Sequence, residues 1–176
     1  MEKRSVTQLN SENPVFKRIG LGTLLNQLVE LAKLNNGGTG LLQSPALTNT
    51  TTTLSFGAFN FFINGVPLRK AAAAVALTAI NHDVAIDRWA SFRVSIAADG
   101  TVTITRADDQ LTLVLAHSTL AAVPANEADM GYFVVRGGTA AIFDATTTNL
   151  QSAAVTGMTV SFYSVEPVAG IPASLT

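Results

Sequence analysis

Apolar and polar residues alternate through two stretches of this chain, residues 58–70 and residues 91–105, and a turn signal folds each stretch back at its middle. In the first, Asn64-Gly65 supplies two residues that accept φ > 0, as the two-residue type I′ hairpin requires. The register follows: Ile63 faces Val66 and Phe61 faces Leu68, with all four on the core side of the ribbon. Pro67 then directs its nitrogen away from the partner strand, which suits an edge strand or a bulge.

In the second stretch, a two-residue Asp99-Gly100 loop would pair Ile96 with Thr103 and split the apolar residues between two faces. A three-residue loop, Ala98-Asp99-Gly100 with Gly100 left-handed, pairs Ile96 with Val102 and Val94 with Ile104 instead. Arg93, Ser95, Thr103 and Thr105 share the opposite, wetter face. Residues 41–49 read as a loop. Further strand patterns occupy residues 50–56, 71–79, 111–117, 131–136, 140–143 and 158–165. Leu111, Leu113 and Leu115 share one face of the third of these, and Met158, Val160 and Phe162 one face of the last, while Gly137-Gly138 reads as a turn. Strands this short and frequent predict a mainly β fold, an antiparallel β-sandwich or barrel built from hairpins, with a short N-terminal arm and one α-helix.

The helix comes from a change of rhythm over residues 19–35, where Leu21, Leu24, Leu28 and Leu31 recur at helical spacing and Asn35-Asn36-Gly37-Gly38 supplies a stop. The polar residues 1–14 read as an extended arm. The expected organisation is therefore an arm plus amphipathic helix over residues 1–36, a Gly-rich joint and loop over 37–49, a β domain over 50–166 and a C-terminal tail over 167–176. The leucine stripe has two readings. It packs on the β domain, or it forms a short seam between protomers or an anchor on a larger surface; two heptads are too few for an independent coiled coil. Gly37-Gly38-Thr39-Gly40 has no preceding strand and no following Lys-Ser/Thr, so it reads as a flexible joint and not as a phosphate loop.

Composition narrows the classes. The 176 residues suit one domain with an appendage, and the absence of cysteine excludes disulfide scaffolds and Cys-based zinc sites. A net charge of −1 gives no electrostatic reason to expect nucleic-acid binding. Only 13% of residues are charged, against about 25% in ordinary soluble domains, so much of the surface tolerates being covered by a partner. Residues 1–13 lack the apolar core of a targeting signal, and no apolar stretch is long enough to cross a bilayer, which suggests a soluble protein made in a cytoplasm.

Candidate chemistry is sparse. His82, Asp83, Asp87 and His117 contain metal-ligating groups, but without the helical His-to-His step of zinc proteases or the acidic periodicity of calcium loops. His82 reads as solvated, Asp83 and Asp87 as turn and strand-start residues, and the adjacent Asp108-Asp109 as solvent-facing rather than half of a glycosidase pair. No nucleophile-elbow pattern supports a triad. Trp89, the one tryptophan, reads as a core or interface residue at a strand start, with a sugar-stacking platform as the sharper alternative. The basic pairs Lys3-Arg4, Lys17-Arg18 and Arg69-Lys70 read as solvated charge, the first two also as means of docking an arm on an acidic surface.

One ordered series of segments adds a resemblance: Phe59-Asn-Phe-Phe-Ile-Asn-Gly-Val, Arg69-Lys-Ala-Ala-Ala, Ala76-Leu-Thr, and Arg88-Trp-Ala-Ser-Phe-Arg-Val-Ser-Ile-Ala-Ala-Asp-Gly-Thr-Val. Leu120-Ala-Ala-Val-Pro and Met130-Gly-Tyr-Phe-Val-Val continue it. In this order, over roughly residues 50–165, the series resembles a recurrent β module of tailed-bacteriophage virion proteins. The resemblance implies a virion structural protein, a capsid decoration or head-fibre component, made in the host cytoplasm and carried in the virion. It implies attachment through the N-terminal region to the major capsid protein or other virion proteins. A homo-oligomer, with a trimer favoured, would multiply weak contacts. Leu21, Leu24, Leu28, Leu31, Lys17 and Arg18 are the attachment or oligomer candidates. No catalytic residue, cofactor, metal, nucleic acid or membrane is implied. The alternative is a tail-fibre or receptor-binding module recognising host glycans through Trp89; a small hydrolase is a distant third class.

Overall fold

The Asn64–Gly65 turn adopts the backbone its sequence asks for, with φ of 51° and 78°. It joins strands β4 (Phe59–Ile63) and β5 (Val66–Lys70), which pair Ile63 with Val66 and Phe61 with Leu68. The second expected hairpin forms as well. Strands β7 (Trp89–Ala97) and β8 (Val102–Arg106) pair Ile96 with Val102 and Val94 with Ile104, and Gly100 has φ of 84°. Lys70 Nζ donates to the Gly100 carbonyl at 2.6 Å, tying the end of one hairpin to the tip of the other.

A computed structural model describes residues 38–50, 52–77, 82–148, 150 and 155–165. The remaining strands are β1 (Gly40–Leu41), β2 (Thr48–Thr50), β3 (Thr53–Phe56), β6 (Ala73–Ala76), β9 (Glu127–Arg136) and β10 (Thr159–Ser164). They form three antiparallel sheets, in the orders β1-β4-β5, β2-β3-β6 and β10-β9-β7-β8. The mainly β, antiparallel, sandwich-like architecture is as the alternation predicts. The helix that lies wholly within the described residues is the short α1 (Leu113–Ser118).

One aromatic-rich core joins the sheets. Phe59, Phe61 and Ile63 of β4, Leu54 and Phe56 of β3, and Leu41 of β1 meet Phe92, Val94, Ile96, Phe133 and Val135 of the large sheet. Phe92 and Phe133 stack at 4.7 Å, Phe133 continues to Phe162 at 5.5 Å, and Phe59 bridges Phe56 and Phe61. Each such side chain, fully buried, contributes about 1.5–3 kcal/mol of transfer free energy, which lets a cysteine-free chain hold this fold. Pro67 lies on β5, the outer strand of its sheet, where a missing ladder donor costs little.

Several expectations are corrected. Val66 is 56% exposed although it pairs with buried Ile63, because an outer strand has a neighbour on one side only. Leu68, Val102 and Ile104, also on outer strands, are half-buried against the core. Phe62, on the face opposite Phe61, is nonetheless buried and lies over Gly40, whose missing Cβ would come within 3.2 Å of the ring. Residues 50–56 do not form one strand: β2 and β3 pair Thr50 with Thr53, so the Thr-rich segment is itself a hairpin. The expected loop over 41–49 begins in β1 and ends in β2. Residues 38–40 do not behave as a flexible joint, since Gly38 and Thr39 bond to the Asn64–Gly65 turn and Gly40 pairs with Phe62.

Residues 111–117 are not a strand. Thr112 caps α1, its Oγ1 accepting from the Leu115 N–H at 3.3 Å, and Ala116 is the helix's buried residue. The Leu111-Leu113-Leu115 alternation therefore buries no residue fully, with Leu113 half-buried and the other two exposed: a good N-cap followed by Leu and Ala outweighs a two-residue period. Residues 140–143 contribute only a bridge between Phe143 and Val84. Gly137-Gly138 runs beside residues 85–88, with Gly137 N–H donating to the Arg88 carbonyl and the Gly138 carbonyl accepting from Asp87 N–H. The helix expected over residues 19–35 lies outside the described residues.

Candidate functional site

The most heavily constructed polar region is the outer face of the four-stranded sheet. Its geometry starts from a bulge. Between Val94 and Ser95 the β7–β9 register shifts by one residue, so Val94 faces Gly131 while Ser95 faces Asp129. Gly131 has φ of 124°, and a Cβ there would lie 2.3 Å from the Tyr163 carbonyl oxygen, so the bulge and the close approach of β10 both require glycine. Asp129 fastens this irregularity from above. Its Oδ1 accepts from Gly131 N–H at 3.0 Å and its Oδ2 pairs with Arg93 Nη1.

Glu127 makes a second brace two residues earlier, accepting from the Ser95 hydroxyl with Oε2 and from Thr103 Oγ1 at 3.4 Å with Oε1. Burial pushes the Asp129 carboxyl above its usual range, against the lowering effects of Gly131 N–H and the Arg93 guanidinium. The polar face is not wet at its centre, where Ser91 and Ser95 are fully buried. Chemically, the four carboxylate oxygens of Glu127 and Asp129 already accept from protein donors, and the arrangement cross-links β7, β8 and β9.

Beyond Asp129, Tyr132 and Tyr163 stack at 4.8 Å, and His117 of α1 stands edge-on to both rings. His117 Nδ1 lies 3.2 Å from the Tyr132 hydroxyl, which docks the end of α1 on the sheet. Burial raises the Tyr132 phenol above its ordinary range, with neighbouring Tyr163 adding to the shift and Arg93 opposing it. Apolar surface is exposed on α1 and just before it: Val114 of the helix is 75% exposed, and Leu111, ahead of the Thr112 cap, 66%. A groove of about 360 Å³ lies nearby, lined by Thr39, Leu41, Val123, Glu127, Asp129 and Val165 among others.

The sequence-derived candidates are scattered relative to this face. Leu21, Leu24, Leu28, Leu31, Lys17 and Arg18 lie outside the described residues. Trp89 starts β7, half-buried, with its backbone paired to Gln110 through bonds of 2.9 and 2.7 Å. The Arg136 guanidinium sits over its ring at 5.8 Å and donates to Asp87 at 2.9 Å, so a sugar would have to use the remaining ring surface. His82 is buried and not solvated: its ring packs on Phe92 and its Nε2 lies 3.4 Å from the Ile104 carbonyl oxygen. Asp83 accepts from Ala145 N–H at 2.8 Å. Asp109 pairs with Arg106 and accepts from Ala85 N–H, while Asp108 is exposed. Among the described residues, no three His, Asp or Glu side chains come together as a metal site.

The sequence singles out His117 only as a metal-ligating group, and Glu127, Asp129, Tyr132 and Tyr163 not at all. Glu127 and Asp129 alternate with the core residues Ala128 and Met130, but out of phase with Phe133 and Val135, because the bulge shifts the parity of β9 by one residue. A strict period carried backwards from residues 131–136 would have placed both carboxylates in the core, so only the composition of the segment could have extended the strand. No protein-family model, curated protein or solved structure matches the chain.

Proposed function

We propose that this chain is a structural component of a tailed-bacteriophage virion, a capsid decoration or head-fibre protein attached through its N-terminal region. The observation that carries the reading is the ordered series of segments from Phe59 to Val135 and its resemblance to virion β modules. Two features support it. The low content of charge suits a protein much of whose surface is covered on assembly, and the best-organised polar groups are spent on bracing strands. In this reading residues 1–36 engage the shell or a sister subunit, the leucine stripe supports a homo-oligomer with a trimer favoured, and the β body is displayed outward.

The test is made on particles. Labelling virions from the chain's own source with a probe for the β body should place many copies over the head. Label confined to a few copies at the tail would support the receptor-binding alternative, which also requires Trp89→Ala to abolish glycan binding. Particles carrying no label would overturn both. Deleting residues 1–36 should abolish particle binding and lower the oligomeric state in analytical ultracentrifugation; unchanged binding and assembly would refute attachment by that region.

A further inference from the structure

In a two-residue hairpin the residues flanking the turn exchange both of their backbone hydrogen bonds, and the N–H groups of the two turn residues are left to water. Here both are taken. Asn64 N–H donates to Thr39 Oγ1 at 3.1 Å and Gly65 N–H donates to the Gly38 carbonyl at 2.8 Å. The chain then enters β1, pairing Gly40 with Phe62 and Leu41 with Phe61. Residues 38 and 39 thus form a strap across the end of the hairpin. The two-residue β1 follows it, and Leu42 and Gln43 N–H then both donate to the Asn60 carbonyl of β4, so the strap is the outermost part of a longer attachment to the hairpin.

The strap lies over a reactive dipeptide. Asn64 is exposed, and the residue after it has no side chain to hinder approach to the Asn64 amide. In an Asn-Gly pair the glycine nitrogen, on losing its proton, can attack the asparagine Cγ. A C–N bond forms, the side-chain nitrogen leaves as ammonia, and a succinimide ring results. Water then opens the ring at either carbonyl to give aspartate or isoaspartate, so the net change is one water consumed and one ammonia released. The nucleophile is Gly65 N, whose hydrogen is held by Gly38. While the strap is closed, that proton is committed to a hydrogen bond and the turn cannot swing the nitrogen toward Cγ.

We propose that Asn64 is a self-modification site gated by the Gly38–Thr39 strap: closed, the strap suppresses deamidation, and each opening exposes the turn to it. Where the ring opens to isoaspartate, the reaction would act as a one-way release, whereas opening to aspartate keeps the backbone and lets the strap close again. Isoaspartate inserts an extra backbone carbon into a loop whose register depends on having two residues of left-handed backbone, so neither the Ile63–Val66 pairing nor the two strap bonds could re-form in place.

The full chain, incubated in mildly alkaline buffer, is followed by mass spectrometry of the peptide carrying residue 64, with isoaspartate quantified separately. Native wild type should react more slowly than the same chain unfolded in urea. Thr39→Ala removes one neutral hydrogen bond and should raise both the deamidation rate and Gly65 amide exchange about fivefold. Thr39→Ser keeps the acceptor oxygen and should stay close to wild type. Deamidation of Thr39→Ala at the wild-type rate would overturn the gating, leaving the turn's own geometry as the protection. Native wild type reacting as fast as the unfolded chain would overturn protection altogether.

Discussion

Gly131→Ala is the sharpest probe of the bulge that organises the outer face. Two costs can be read from the structure. A φ of 124° is a backbone conformation that alanine adopts only under strain, worth about 1–3 kcal/mol. The added Cβ would also lie 2.3 Å from the Tyr163 carbonyl oxygen and 2.9 Å from Ser164 Cα. These are backbone atoms and cannot rotate aside, so β10 must move, at about 1–3 kcal/mol for overpacking. Together the loss should be about 4 kcal/mol, a large share of the roughly 5–15 kcal/mol that holds an ordinary domain. Gly57→Ala is the control for any general effect of replacing glycine. Its Cβ would meet nothing closer than the Pro45 carbonyl oxygen at 3.7 Å, so its change should stay within about 0.5 kcal/mol. Equilibrium urea unfolding measures both, with near-ultraviolet circular dichroism reporting the stacked Tyr132 and Tyr163. A loss below about 1 kcal/mol for Gly131→Ala, with an unchanged denaturant slope, would mean that β10 does not lie against the bulge.

Two further outcomes test the elements around this face. Burial raises the folded-state pKa of Asp129 above its ordinary 3.8, so the native state binds this proton more tightly than the unfolded chain does. The associated stability is complete below that ordinary value and is lost as pH rises through the raised one. Asp99 and Asp144 run the opposite way. Hydrogen bonds from Thr101 and from Thr146 lower them, so their contribution is present above the ordinary value and lost as pH falls through the lowered ones. Unfolding measured from acid to neutral pH should therefore show the stability of wild type relative to Asp129→Asn falling as pH rises; a rising difference would refute the assignment. Thr112→Ala removes the N-cap of α1 and should cost about 1 kcal/mol, with weaker protection of the Leu115 amide in hydrogen exchange. Unchanged protection would show that the cap does not hold the helix.

The hairpin registers were legible because the same few residues carry two independent signals. Asn64-Gly65 and Asp99-Gly100 specify loop length, alternation specifies which face is buried, and for Phe61, Ile63, Val94 and Ile96 the two agree. Val66 fails because alternation reports a face and says nothing of whether another layer covers it. Residues 111–117 fail for a related reason: period two was visible, but Leu111 and Leu115 on it are exposed, and the Thr112 cap decides the backbone. The outer face was illegible at greater range. Arg93 and Asp129 are 36 residues apart, His117 and Tyr132 are 15, and no local pattern announces either pair.

The same distinction separates the strap from the joint it was expected to be. Gly37-Gly38-Thr39-Gly40 has the composition of a flexible linker, and composition measures what a chain can do when nothing holds it. What holds residues 38 and 39 is a pair of turn N–H groups left over by the geometry of a hairpin more than twenty residues away in sequence. Such donors are ordinarily satisfied by water at no net gain, so capturing them stabilises the strap by little more than one neutral hydrogen bond each, about 1 kcal/mol. Under the gating proposed above, these two bonds keep residues 38 and 39 closed for most of the time, and losing the one from Asn64 N–H to Thr39 should make openings more frequent. The Asn64–Gly65 turn is where any such opening is felt first, because its two N–H groups are the donors that hold the strap.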